Sequence, residues 1–307
     1  MTATIDTTVP RVSIVVLTHN RKEEVCATLR RLTALSAYPD DLPIIVVDNA
    51  STDGTAQRIA DEFPQIEVVS ALSNLGAAGR NVGVQRVSTD YVAFSDDDTA
   101  WSPVALERAA DILDAHPDIA VLNAHILVGP QARDDPACET MAASPLNTIE
   151  GVGPQLVGFM AGASVMRTAS FRQAGGYWSP LFIGGEETLL ALDILELGGR
   201  IVYAPAVVTH HWPSPNRDVA RRRSLTARNE IWTAWLRFPV GMALRRSVEV
   251  FKNVRPLQAK WQLLVDVLRG LSLIWRYRRP MSASVRQKVE QVSPPHRPRL
   301  SATVHGS

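Results

Sequence analysis

Three consecutive carboxylates, Asp96-Asp97-Asp98, stand at the end of the apolar run YVAF. Adjacent carboxylates repel one another and a helix cap needs only one, so a run of three asks for a cation. Hard oxygen ligands of this kind suit Mg²⁺ or Mn²⁺, which keep few protein ligands and complete their shell with phosphate oxygens. Asp96 and Asp98 lie two apart on a chain leaving a strand, so both can face one ion. Three further polar clusters share this setting: residues 18–20 (Thr-His-Asn), 48–54 (Asp-Asn-Ala-Ser-Thr-Asp-Gly) and 74–81, which begins at Asn74. Any one of them would serve as a helix cap. Four at the ends of four apolar runs point to one ligand-binding rim.

The elements that position these clusters follow from the hydrophobic pattern. Residues 11–18, 42–49, 66–71 and 91–98 are short apolar runs rich in Val and Ile, as buried strands are. Residues 21–35, 51–63, 77–87 and 103–115 read as helices behind them. The alternation predicts an α/β fold with a mostly parallel sheet flanked by helices and right-handed crossovers. Ligands of such sheets gather at the carboxyl ends of the strands. Residues 128–157, rich in Pro, Gly, Ala and Asp, read as a surface excursion; 159–166 and 200–203 are strand-like pieces flanking a helix over 187–197.

The formal net charge of +1 hides a division. Residues 1–216 hold 13 Lys and Arg against 26 Asp and Glu, whereas residues 217–307 hold 19 against 5. An acidic body with a basic tail implies an anionic partner for the tail. The two cysteines, Cys26 and Cys138, are far apart and lack metal-ligand spacing, which argues against a disulfide framework. The opening MTATIDTTVP carries neither the basic stretch nor the apolar run of a signal peptide, and no window reaches the ~20 apolar residues of a membrane span. The expected location is cytoplasmic, with peripheral contact at the inner face of the membrane.

THNR at 18–21, VVDNASTDGT at 46–55, NLGAAGRNVGV at 74–84 and FSDDDT at 94–99, in this order and spacing, resemble the inverting family 2 glycosyltransferases. The resemblance continues through GFMAGASVMRTASFRQAGGYW at 158–178 and FIGGEETLLALDILELGGRIVYAPAVVTHHW at 182–212, covering about residues 11–235. It implies the GT-A fold, the nucleotide-diphospho-sugar transferase fold. A disordered lead-in over 1–10 would precede a catalytic domain over 11–216, whose half at 11–100 binds the nucleotide sugar and whose half at 101–216 holds the acceptor. A basic helical extension over 217–280 and a disordered tail over 281–307 would follow.

The same resemblance assigns roles. Thr18 and Asn20 line the nucleotide pocket, Asp48 accepts hydrogen bonds from the base, and Arg80 lies beside the nucleotide; Asn74 and Asp97 belong to the same donor side. Asp96 touches ribose or metal and Asp98 the metal, bridging to the diphosphate. A histidine completes the metal shell, His211 by its distance from Pro205, with His210 the alternative. Glu186-Glu187 stands where the family carries Glu-Asp, which makes Glu187 the general base and departs from the pattern by one methylene. Trp178 would stack on an acceptor sugar or fill a core. Arg228-Asn229, in ARNEIW, would grip a diphosphate or lie on a solvated face, as would residues 221–223.

The implied reaction carries a hexose or deoxyhexose from a nucleotide-diphosphate sugar to a glycan, a lipid-linked glycan or a small molecule. The alternatives are a sugar-phosphate nucleotidyltransferase, disfavoured because LTHNRKEE lacks a glycine-rich phosphate loop, and a non-catalytic nucleotide-sugar or lipid-binding protein. Leu257, Trp261, Leu264, Val265, Leu268, Leu271 and Trp275 recur at helical spacing among Arg255, Lys260, Arg269, Arg276, Arg278 and Arg279. Such a stripe either lies on an anionic membrane or packs on the catalytic domain. No nucleic-acid-binding motif accompanies the charge, so nucleic acid is not an expected partner.

Overall fold

The computed structural model describes residues 10–35, 42–213 and 219–292. The first elements are β1 (Val12–Thr18), α1 (Lys22–Thr33), β2 (Ile44–Asp48), α2 (Thr55–Glu62), β3 (Glu67–Ser70), α3 (Gly79–Val84) and β4 (Tyr91–Asp96). β1 and β2 are buried along almost their whole length, each Val or Ile contributing about 1.5–3 kcal/mol by leaving water. Strands β3, β2, β1 and β4 lie side by side and run parallel. Their register pairs Thr18 with Asp48, Asp48 with Ser70 and Leu17 with Asp96, so three of the polar clusters share one edge.

The second half comprises β5 (Thr99–Trp101), α4 (Ala105–Ala115), β6 (Ile119–Val128), β7 (Arg133–Asp134), α5 (Pro136–Ala142), β8 (Thr148–Ile149), β9 (Gly153–Leu156), β10 (Ser164–Arg167), α6 (Thr168–Gln173), α7 (Glu186–Glu196) and β11 (Arg200–His211). The sheet runs β3-β2-β1-β4-β10-β6-β11-β9-β8, with β5 on β11 and β7 on β6. It is mixed, not mostly parallel as the sequence led us to expect. β10 runs antiparallel to both β4 and β6 because the chain enters it from the rim, through a 3₁₀ turn at Ala161–Ala163, instead of through a crossover helix. The presumed excursion at 128–157 contains α5 and three short strands. The strand expected at 200–203 extends to His211, passing a register shift between Ala204 and Val208 where Pro205 has no N–H to give.

The C-terminal elements are α8 (Val219–Arg237), α9 (Val240–Asn253), α10 (Leu257–Arg269), α11 (Leu271–Tyr277) and α12 (Ala283–Val292). Helices α8–α11 share a second core with Leu181 and Leu189, built around Ile231, Trp232, Leu236, Leu263 and Ile274. A disordered tail from 281 is corrected by α12: Met281 and Val285 are buried in the main core, which gives that segment apolar area to offset its ordering. Residues 1–9 of the expected lead-in and 293–307 of the expected tail lie outside the described residues.

Candidate active site

Asp98 and His211 meet at the rim. β5 begins at Thr99 and pairs antiparallel with the end of β11, Thr99 opposite His211, while the Trp212 N–H donates to the Asp98 carbonyl at 2.8 Å. This brings His211 Nε2 to 3.6 Å from Asp98 Oδ1. The neighbouring His210 instead stacks on Trp212, centroids 5.6 Å apart, and Arg31 covers that ring from 3.9 Å. Asp98 and His211 thus present an oxygen and an imidazole nitrogen toward one point, a donor pair that fits a hard divalent ion sharing its shell with phosphate. Among the described residues no group of three such side chains converges. Asp96 is half-exposed, its carboxylate bonded to Arg80. A Cβ on Gly162 would lie 2.7 Å from Asp96 Oδ2, so the turn into β10 passes this close only because that residue is glycine.

Beneath the rim the clusters brace one another. Asp97 is buried, ion-paired to Arg21 and accepting from the Thr18 hydroxyl at 3.3 Å. Burial pushes its carboxyl up to about 7; Arg21 draws it down, and Asp98 and Asp96 push it up again. Arg21 Nη1 also stands 3.5 Å from Asp98 Oδ2. Thr18 and Asp48 are themselves buried, and Asp48 Oδ1 accepts from the Ser51 N–H at 3.2 Å. Asn20 sits at φ 52°, a left-handed conformation that Asn tolerates, and its Oδ1 accepts from the Thr52 N–H at 2.7 Å. Asn49 donates to Asn74 Oδ1 at 3.1 Å and to the Gly76 carbonyl at 3.0 Å. Several residues assigned to the donor pocket therefore hold loops together: Thr18 orients Asp97, Asn20 ties two strand ends, and Asn74 closes the third.

Glu186 and Glu187 open α7 after a loop of unusual backbone. Phe182, Gly184 and Gly185 have φ of 62°, 89° and 95°. The Phe182 carbonyl accepts from the Ala77 N–H at 2.7 Å, and Gly76 must lack a Cβ because one would fall 2.1 Å from that carbonyl oxygen. On its other side Asn229, fully buried in α8, donates to the carbonyls of Leu181 (2.7 Å), Ile183 (3.0 Å) and Gly184 (2.7 Å). Arg228 adds bonds to Pro180 and Leu181 at 3.2 and 3.1 Å and covers Trp232 from 4.4 Å. Arg228-Asn229 is thus a staple on the loop, neither a solvated face nor a free grip for a diphosphate. Asn229→Ala removes the two amide protons shared among these carbonyls, of which Leu181 keeps the Arg228 guanidinium and the Ile183 N–H, and should cost about 2 kcal/mol, read by urea unfolding. Asn229→Asp, of equal size but without amide protons, should be no better.

The two glutamates differ. Glu186 is buried at 6% exposure with Oε2 lacking a hydrogen-bond partner, and burial, then Glu187, push it up to about 7. Glu187 accepts from the Ala161 N–H; burial raises it, Arg80 pulls it back and Asp96 raises it further. The Arg80 guanidinium, paired with Asp96, thus also acts on Glu187 through its charge. Tyr177, unremarked in the sequence, is buried beside them with its ring 5.6 Å from the Arg80 guanidinium and its hydroxyl unpartnered. Trp178, half-buried, packs edge-on against Trp232 at 6.4 Å and Tyr277 at 5.8 Å along the second core. Sequence reading also missed Arg21, although it closes the THNR segment directly after the first cluster.

Residues 13–169, just over half of the chain, match the family model of glycosyl transferase family 2. The chain belongs to that family. An N-acetylglucosaminyl-diphospho-decaprenol L-rhamnosyltransferase of Mycobacterium tuberculosis is 25% identical over 261 residues, 71% of this chain and 85% of that protein. An uncharacterized glycosyltransferase of Haemophilus influenzae is 33% identical over 108 residues, which span 35% of this chain and only 36% of its relative. Among solved structures, S. aureus TarS in complex with UDP-GlcNAc superposes with a TM-score of 0.60 at 19% identity, covering 86% of this chain and 73% of that one. A mannosyltransferase of Pyrobaculum calidifontis in complex with GDP-Man and Mn²⁺ gives 0.58 at 19%, covering 94% and 87%. These likenesses show the GT-A architecture, a mixed sheet flanked by helices.

Proposed function

We propose that this family 2 chain transfers a glycosyl group, hexose or deoxyhexose, from a nucleotide-diphosphate sugar to an acceptor hydroxyl with inversion at the anomeric carbon. The observation that carries the reading is the approach of His211 to Asp98 at 3.6 Å on the same rim where Arg80 pairs with Asp96. Asp98 and His211, with Asp96, would hold Mg²⁺ or Mn²⁺, which when bound offsets negative charge on the diphosphate. Asp48, Asn20 and Asn74 shape the strand ends that receive the nucleotide. Glu187 takes the proton of the acceptor hydroxyl as that oxygen bonds to the anomeric carbon, and the electron pair of the breaking bond leaves with the diphosphate. Burial raises the Glu187 carboxyl above its ordinary range, which makes it a stronger proton acceptor than a solvated carboxylate.

The likeness to an N-acetylglucosaminyl-diphospho-decaprenol L-rhamnosyltransferase favours a deoxyhexose donor and a lipid-linked acceptor as the first pair to try. The deciding experiment incubates the protein with a panel of nucleotide sugars and Mn²⁺, with and without prenyl-diphosphate glycans, and follows release of nucleotide diphosphate. The expected result is release from one donor, accelerated by one acceptor. Release of inorganic pyrophosphate from a sugar phosphate and a nucleoside triphosphate would instead mark a nucleotidyltransferase.

A further inference from the structure

Fourteen large hydrophobic residues are exposed among the described residues, and ten of them fall between Val240 and Tyr277. They follow helical spacing: Leu244 and Val248 on α9, Trp261 and Leu268 on α10, Leu271 and Trp275 on α11. These helices pack inward on α8 through Val250, Leu263, Val267 and Ile274, so core formation is already satisfied without the outer row. Trp261 and Trp275 are 63% and 78% exposed, an arrangement that soluble surfaces rarely tolerate in such density. Residues 240–280 carry nine Lys and Arg against two acids. Both acids are engaged within their own helices: Asp266 accepts from Gln262 and Arg269, and Glu249 from Arg246.

We infer that the outer face of α9–α11 docks this enzyme on an anionic lipid bilayer. Apolar rows with tryptophan fit the boundary between headgroups and acyl chains, and the surrounding arginines and lysines fit acidic headgroups. A second copy of the chain is a poorer occupant, because a two-fold contact would set this excess of positive charge against itself. No helix among the described residues is long and apolar enough to cross a membrane, so the contact is peripheral. The same α8 whose inner side staples the loop before Glu187 carries α9–α11 on its other contacts, so the bilayer would lie one helix layer from the base-bearing loop.

The test is sedimentation of the full chain with phosphatidylcholine vesicles, with and without phosphatidylglycerol, at low and high salt. It reads lipid and not turnover, so its outcome is separate from that of the transfer assay. Pelleting should require phosphatidylglycerol and fall as salt rises. Arg245→Gln with Lys252→Gln should weaken it by about fivefold per charge. Trp261→Ser with Trp275→Ser should weaken it further while leaving the melting temperature unchanged, since both rings are exposed. Absence of pelleting with phosphatidylglycerol at low salt overturns the inference, as does undiminished pelleting of the tryptophan variant. An oligomer that this variant converts to monomer, without lipid binding, assigns the face to self-association and overturns it equally.

Discussion

Glu187→Gln is expected to bind donor as the parent does and to transfer sugar about 10²-fold more slowly or worse, the usual scale for a lost general base. The amide keeps the shape and the contact with the Ala161 N–H but cannot take a proton. Glu186→Gln should retain most activity, because that carboxyl is buried and held near 7 by burial and by Glu187. A dead Glu186→Gln beside an active Glu187→Gln would reverse the assignment. Stability offers an independent reading of Glu186. A carboxyl raised from 4.5 to about 7 stabilises the fold fully below pH 4.5, and that contribution is lost as pH climbs through about 7. Gln stays neutral throughout, so the melting temperature of Glu186→Gln relative to the parent should rise between about pH 5 and pH 8.

Removal of the Asp98 carboxylate should be as damaging. Asp98→Ala is expected to lose at least about 10²-fold in turnover and its response to Mn²⁺, consistent with the several kcal/mol that a cation at the diphosphate supplies. Its melting temperature should stay close to the parent's, because Arg21 keeps its pair with Asp97 and the mutual repulsion of three carboxylates is relieved. His211→Ala should shift the Mn²⁺ titration to higher concentration with a smaller loss of maximal rate. The measurement is a metal titration after chelation, with each variant's melting curve alongside. Full activity of the parent in chelator would remove the metal from the proposal.

The strand-end rim was legible because apolar runs and the polar residues that end them are local patterns: Val12–Thr18, Ile44–Asp48 and Tyr91–Asp96 are visible as strands without any tertiary information. The direction of β10 was not, because nothing in Ser-Val-Met-Arg records from which edge the chain arrives. The contact of His211 with Asp98 passes through β5, a three-residue strand too short for periodicity to reveal. The staple was hidden for a different reason. Arg228 and Asn229 advertise charge and polarity, and only their burial against residues 180–184 shows that the ligands of these side chains are carbonyl groups of the chain itself. Thr18 likewise carries a contact that its type alone does not announce, the bond of its hydroxyl to the Asp97 carboxylate.

The loop ahead of Glu187 is pinned from two directions, by Ala77 of the first half and Asn229 of the C-terminal helices. Those contacts limit how the family can exchange parts. A hybrid that took its last helices from a relative, to acquire another acceptor or another address in the cell, would import whatever residue stands in place of Asn229. Unless that residue again supplies amide protons to Leu181, Ile183 and Gly184, the graft would unseat a carboxylate it never touches. Segments of this chain that look interchangeable along the sequence are therefore inherited as a set, and acceptor choice would be re-engineered more safely by altering surface side chains within the helices than by swapping the helices whole.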